Sequence, residues 1–152
     1  MIIGLDTNFL IDLLDISIFN PAGKFDDTVG RERIFNYLSG ATRIVIPTPV
    51  IAETYIKNGL VAEQFIKKLR ASVNLEIAPF DERAAIEFSR LYPLINRNRQ
   101  KEEETKIKTT MDNQILTICS LYQVATLLTD DKGLTNRAAI LEIETRKFVS
   151  FC

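Results

Sequence analysis

Four short stretches put carboxylates where they could do chemistry: LDTN (residues 5–8), PTPVIAETYI (47–56), TTMDNQI (109–115) and LLTDDKGL (127–134). They offer Asp6, Glu53, Asp112 and the adjacent pair Asp130 and Asp131. No histidine occurs anywhere in the chain. Histidine general bases, Ser-His-Asp triads, Cys-His pairs and histidine-bound zinc are therefore excluded. Any catalysis falls to carboxylates, lysines, hydroxyls or a metal ion.

Each acid has a plain structural reading beside the chemical one. Asp6, Thr7 or Asn8 could cap a helix over Phe9–Leu14. Asp112, read as lying at a helix start, would complement the helix dipole. Glu53 could lie on a solvated face, and Asp130 or Asp131 could cap the next turn. Glu53, however, is flanked by Val50, Ile51, Ala52 and Ile56, and burying an unpaired carboxylate is expensive. Several carboxylates converging on one point repel each other unless a cation offsets them. Oxygen donors without histidine or a suitable cysteine favour a hard ion, Mg²⁺ or Mn²⁺. A carboxylate-held ion with open positions suits phosphodiester hydrolysis.

The elements that must position these acids can be read from the hydrophobic pattern. Strand candidates are Ile2–Leu5, Arg43–Ile46, Leu75–Ala78, Val124–Thr129 and Lys147–Phe151. Between them run helical stripes: Val61, Phe65 and Leu69; Ala84, Phe88, Leu91, Tyr92 and Ile95; Ile115, Ile118, Cys119 and Tyr122. Thr48 followed by Pro49 reads as an N-cap with proline at the first helical position. Strands alternating with helices predict an α/β fold, a central parallel sheet of about five strands covered on both faces. Ligands in such sheets bind at the carboxyl ends of the strands. Asp6 follows the first strand and Asp130–Asp131 follow the fourth. Residues 20–30 and 96–108 read as irregular connections.

The chain has 152 residues, which suits a single domain over residues 1–152. Its 46% hydrophobic and 26% charged content is ordinary for a globular protein. A formal net charge of −1 excludes a strongly basic nucleic-acid coat but not a local basic patch. The two cysteines, Cys119 and Cys152, are expected to be free thiols. With no basic leader and no run of ~18 apolar residues, a cytoplasmic protein without a membrane span is expected.

Taken together, LDTN, the A-E of the second helix, TTMDNQILTIC and LLTDDKGL resemble the PIN domain family, in that order and across Ile2 to Phe151. The resemblance implies a three-layer α/β/α fold and a metal-dependent ribonuclease. It assigns Asp6, Glu53, Asp112 and Asp131 as the acids that hold one or two Mg²⁺ or Mn²⁺ ions. Thr129 matches a supporting hydroxyl and Asn8 a polar neighbour of the first acid. A metal-bound water would attack the phosphate, leaving a 5′-phosphate and a 3′-hydroxyl. Small members resemble VapC-type toxins, which pair with an antitoxin and form homodimers. Two departures stand out: residues 16–33 are longer than in compact toxins, and Gly133-Leu134 replaces the usual acidic-aromatic pair.

Alternatives from other classes are a housekeeping RNA-processing nuclease and a catalytically silent interaction module of the same fold. A phosphoacceptor receiver fits poorly, because Pro79 and Phe80 stand where its aspartate belongs. A haloacid-dehalogenase-type phosphatase fits poorly because Asp6-Thr7-Asn8 lacks a second acid. For the RNA substrate, Lys132, Lys108 and Arg99 are the candidate phosphate contacts, with Arg97, Lys101 and Lys106 nearby. Strand alternation puts Thr129 and Asp131 on one face and Leu128 and Asp130 on the other. That selects Asp131 as the site acid and leaves Asp130 to cap the turn or to support from outside.

Overall fold

The computed structural model describes residues 1–14, 28–96 and 106–151. These form strands β1 (Ile2–Leu5), β2 (Arg43–Pro47), β3 (Leu75–Ala78), β4 (Thr126–Leu128) and β5 (Glu144–Arg146). The helices are α1 (Thr7–Leu14), α2 (Thr28–Ser39), α3 (Thr48–Ser72), α4 (Glu82–Ile95), α5 (Lys106–Leu121) and α6 (Lys132–Ile140). A short 3-10 helix, Phe148–Phe151, follows β5.

The strands make one sheet in the order β3-β2-β1-β4-β5. Every pairing is parallel, with Ile3 opposite both Ile44 and Thr126. The helices flank this sheet in a three-layer α/β/α fold. Its strands read as apolar runs because they are buried from both sides: Ile3, Leu5, Ile44, Val45, Ile46, Leu127 and Leu128 are all fully buried. β1 is central, and the chain leaves it toward β2 on one side and returns to β4 on the other. The carboxyl ends of β1 and β4 therefore flank the switch point of the sheet, where open α/β sheets bind ligands.

Gly4 brings the site elements close. A Cβ there would meet Cys119 Sγ, Leu127 Cδ1 and Val124 Cγ1, each at 3.2 Å. Bare backbone lets α5, which carries Asp112, approach β1, which delivers Asp6. Cys119 is a buried free thiol, as expected. Burial pushes its pKa up to about 12, with the Asp6 charge adding to it, so it stays a thiol. Cys152 lies outside the described residues.

Several boundaries differ from the sequence reading. The last strand is Glu144–Arg146, not Lys147–Phe151. Phe148 and Phe151 instead share the i, i+3 face of the 3-10 helix. They pack edge-on against Phe9 at 5.2 and 6.1 Å. β4 is shorter than Val124–Thr129, although backbone bonds from Ala125 to Ile2 and from Thr129 to Arg146 continue the ladder.

Thr48 does not cap α3. It is the first residue of that helix, with Pro47 at the cap position making no side-chain bond. Its hydroxyl instead accepts from the Phe80 backbone N–H at 3.1 Å. α3 is also interrupted at Gly59, whose φ of 55° lies in the left-handed region. Tyr92 leaves the expected α4 stripe and is exposed. Residues 106–108 of the expected irregular stretch are helical and belong to α5, as 28–30 belong to α2. Residues 15–27 and 97–105 lie outside the described residues.

Candidate active site

A cavity of about 200 Å³ opens at the switch point, lined by Asp6, Thr7, Asn8, Glu53, Lys57, Lys108, Asp112 and Asp131. All four expected acids are thus on one wall or another, each delivered by a different element. A second cavity of about 200 Å³, between Phe35, Phe65, Leu69 and Val73, contains no carboxylate.

Asp6 ends β1 and precedes α1, which begins at Thr7 rather than Phe9. Its Oδ1 accepts from the Thr7 backbone N–H at 2.7 Å, and its Oδ2 accepts from the Thr129 hydroxyl at 2.7 Å. Asp6 is buried. Burial raises its pKa above the usual carboxylate range, against the lowering pull of those two bonds, and the charges of Asp131 and Glu53 add to the rise.

Asp112 lies in the body of α5, as its seventh residue, not at the helix terminus that the sequence suggested. Its Oδ2 accepts from Arg137 Nη2 at 3.1 Å. Burial pushes the Asp112 carboxyl up to about 7, and Asp131 and Asp6 push the same way, while Arg137 and Lys108 oppose them.

Asp131 is the N-cap of α6, and its Oδ1 accepts from Leu134 N at 2.8 Å. Its Oδ2 meets Lys108 Nζ at 2.8 Å. Burial alone would raise its pKa, but the Lys108 bond, the Leu134 amide and the charges of Lys108 and Arg137 hold it below the usual range. The Thr129 hydroxyl also accepts from the Asp131 backbone N–H at 3.0 Å. Thr129 thus links the first and last acids.

Asp130 faces elsewhere: its Oδ1 accepts from Phe148 N at 3.0 Å and ties β4 to the C-terminal 3-10 helix. Of the two roles expected of Asp130, capping the turn is corrected, since Asp131 makes that cap with one oxygen and meets Lys108 with the other. Glu53 sits in the second turn of α3 and is partly exposed. The flanking side chains Ala52 and Ile56 are exposed, so the apolar run does not bury it.

Asn8 lines the cavity, as does Lys108. Lys132 is exposed on the first residue of α6 and is not among the lining residues. Lys106 is exposed at the start of α5, and Arg97, Arg99 and Lys101 lie outside the described residues. Gly133-Leu134 places a buried leucine, not an acid, after Lys132.

Two residues escaped the sequence reading. Lys57 lines the cavity and stands four residues after Glu53, so helical spacing puts both on one face. Arg137 is buried at 1% exposure, three residues after buried Leu134 and just before buried Ala138. A charge on an apolar helical stripe was the available signal, the same one that singled out Glu53.

Among the described residues, no group of three or more aspartates, glutamates or cysteines forms a ready cage for a metal. The acids ring the cavity, and Lys108 and Arg137 engage two of them. Oxygen-only donors spread around an open cavity fit a hydrated hard cation such as Mg²⁺, which keeps several waters and takes few carboxylates.

The family model described as "PIN domain" matches residues 3–149. The chain belongs to the PIN domain family, whose members are generally nucleases. Its fold is similar to a chain in the crystal structure of VapBC2 from Rickettsia felis bound to a DNA fragment from their promoter, with a TM-score of 0.64. That match has 16% identity and covers 97% of this chain and 98% of the other. No curated protein matches the sequence. Among the described residues, no helix is long and apolar enough to cross a membrane.

Proposed function

We propose that residues 1–152 act as one nuclease unit, a Mg²⁺- or Mn²⁺-dependent endoribonuclease that serves as the toxin of a toxin–antitoxin module. One observation carries the reading: Asp6, Glu53, Asp112 and Asp131, from four separate elements, line one cavity together with Lys57 and Lys108. No packing need draws four carboxylates to one place, and their mutual repulsion calls for a cation.

Asp6, Asp112, Asp131 and Glu53 would hold the ion, which when bound supplies a nucleophilic water at neutral pH and offsets charge on the phosphate. The chain does the rest. Thr129 fixes Asp6 Oδ2 and the Asp131 backbone, so the two acids keep their separation. Lys108 and Lys57 offer ammonium groups to the phosphates flanking the scissile bond. Lys108 must first leave Asp131, and its half-exposed side chain makes that exchange inexpensive.

The toxin assignment draws on the VapBC2 likeness, and with it come a cognate antitoxin and a homodimer as expected partners. The test is cleavage of single-stranded and structured RNA in Mg²⁺, Mn²⁺ or EDTA, by wild type and Asp6→Asn. Cleavage should require the metal and Asp6. Cleavage that survives both EDTA and the substitution would sink the mechanism.

A further inference from the structure

By volume, Arg137 is the largest fully buried side chain among the described residues. It stands on α6 between Leu134 and Ala138, both buried, where leucine or methionine would pack without desolvating a charge. A buried guanidinium is costly unless well paired, and replacing such pairs by apolar side chains is often neutral or stabilising. Packing alone therefore gives no reason for arginine here.

Its partner supplies one. Arg137 Nη2 holds Asp112 Oδ2 at 3.1 Å, with side-chain exposures of 2% and 10%. That bond commits one carboxylate oxygen and fixes the rotamer of the acid. Asp131 is also the N-cap of α6, just before its first residue. One nine-residue helix thus carries the last acid at its start and the anchor of the third acid six residues later. The geometry points to Arg137 as a positioning residue that holds Asp112 with one oxygen turned to the cation, and to α6 as the brace that sets Asp112 against Asp131. This rests on the reading of the cavity as a metal centre.

The sign of the effect separates positioning from plain electrostatics. Removing a positive charge beside a cation site should, by field alone, tighten cation binding. Loss of positioning should weaken it, by about 10–100-fold for an outer partner of a metal ligand. The experiment is Mn²⁺ calorimetry on wild type, Asp112→Asn, Arg137→Met and Arg137→Lys, each checked for folding by circular dichroism. We expect weaker binding in Arg137→Met despite the lost charge, and weaker binding in Arg137→Lys, which keeps the charge but not the fork. Should Arg137→Met fail to fold, Arg137→Lys decides alone. Unchanged or tighter binding in a folded variant, with Asp112→Asn weakened, overturns the positioning role and leaves the metal centre standing. A wild type that binds no Mn²⁺ overturns both.

Discussion

Two ion pairs border the same cavity and are built in opposite ways. Lys108–Asp131 is at the mouth, with side-chain exposures of 49% and 13% at 2.8 Å. Arg137–Asp112 is buried behind the lining, of which only Asp112 is part, with 2% and 10% at 3.1 Å. An ammonium on a flexible stem that water can reach is easily exchanged, whereas water cannot readily replace the partner of a buried guanidinium. The contrast divides the labour of the cations. Lys108 neutralises Asp131 until something better arrives, and Arg137 is a permanent part of the scaffold.

The largest expected difference is in stability. Arg137→Met leaves Asp112 buried without its partner, which costs about 3–5 kcal/mol. Lys108→Met breaks a pair that water can replace, which costs about 0–1 kcal/mol. Urea melts of the two variants measure both, and equal losses would erase the distinction between back and mouth.

Next comes the link between the two sides. Thr129→Val removes the donor to Asp6 Oδ2 and the acceptor for Asp131 N. It should cost about 1–3 kcal/mol and about 10–100-fold in RNA cleavage, while Thr129→Ser restores most of both. Full activity in the valine variant would mean that the acids keep their places without it.

A smaller effect is on pH. The Asp112 carboxyl rises from 3.8 to about 7 in the fold, so between those values the folded state binds more protons than the unfolded one. Stability of the metal-free protein should therefore fall as pH rises from about 4 to about 7. Asp6, also raised, acts in the same direction. Asp131, lowered, acts only as pH falls below the usual carboxylate range. Thermal melts in EDTA at pH 5 and pH 7.5 should show the drop, and Mn²⁺ should restore more at pH 7.5. A metal-free protein more stable at pH 7.5 would contradict the burial of Asp112.

The smallest expected change is in Lys57→Met, which removes one mouth cation without touching an acid. It should raise KM for RNA by a few-fold, roughly one screened phosphate contact, with kcat little changed. A fall in kcat instead would move Lys57 closer to the reacting phosphate.

Much of this architecture was legible because it follows from periodicity. Apolar runs such as IIGL and RIVIP mark strands buried on both faces, and two of the acids, Asp6 and Asp131, stand just past the ends of β1 and β4. Strand alternation set Thr129 and Asp131 apart from Asp130 on paper, but β4 ends at Leu128. The separation comes from the turn into α6, where Asp131 caps the helix and Asp130 accepts from Phe148 N. What escaped depends on contacts between distant segments. Phe148 and Phe151 look like strand residues until Phe9 is found beneath them. The position of Asp112 within α5 was masked by the charged run before it, which hid the start of the helix. Arg137 went unread because Asp112, which it holds, is 25 residues away. Thr48 looked like a cap because nothing local announces the Phe80 amide.

The central claim is that geometry, not a generally acidic surface, makes the site. Asp130 and Asp131 are adjacent, and changing either to asparagine alters the net charge equally. Asparagine also keeps the capping bond of Asp131 to Leu134 available. RNA cleavage in Mn²⁺ by Asp131→Asn and Asp130→Asn is therefore the most direct measurement. The account predicts a loss beyond about 100-fold for Asp131→Asn, more than an outer partner supplies, with Asp130→Asn near wild type. Equal losses, or a larger loss at Asp130, would contradict it.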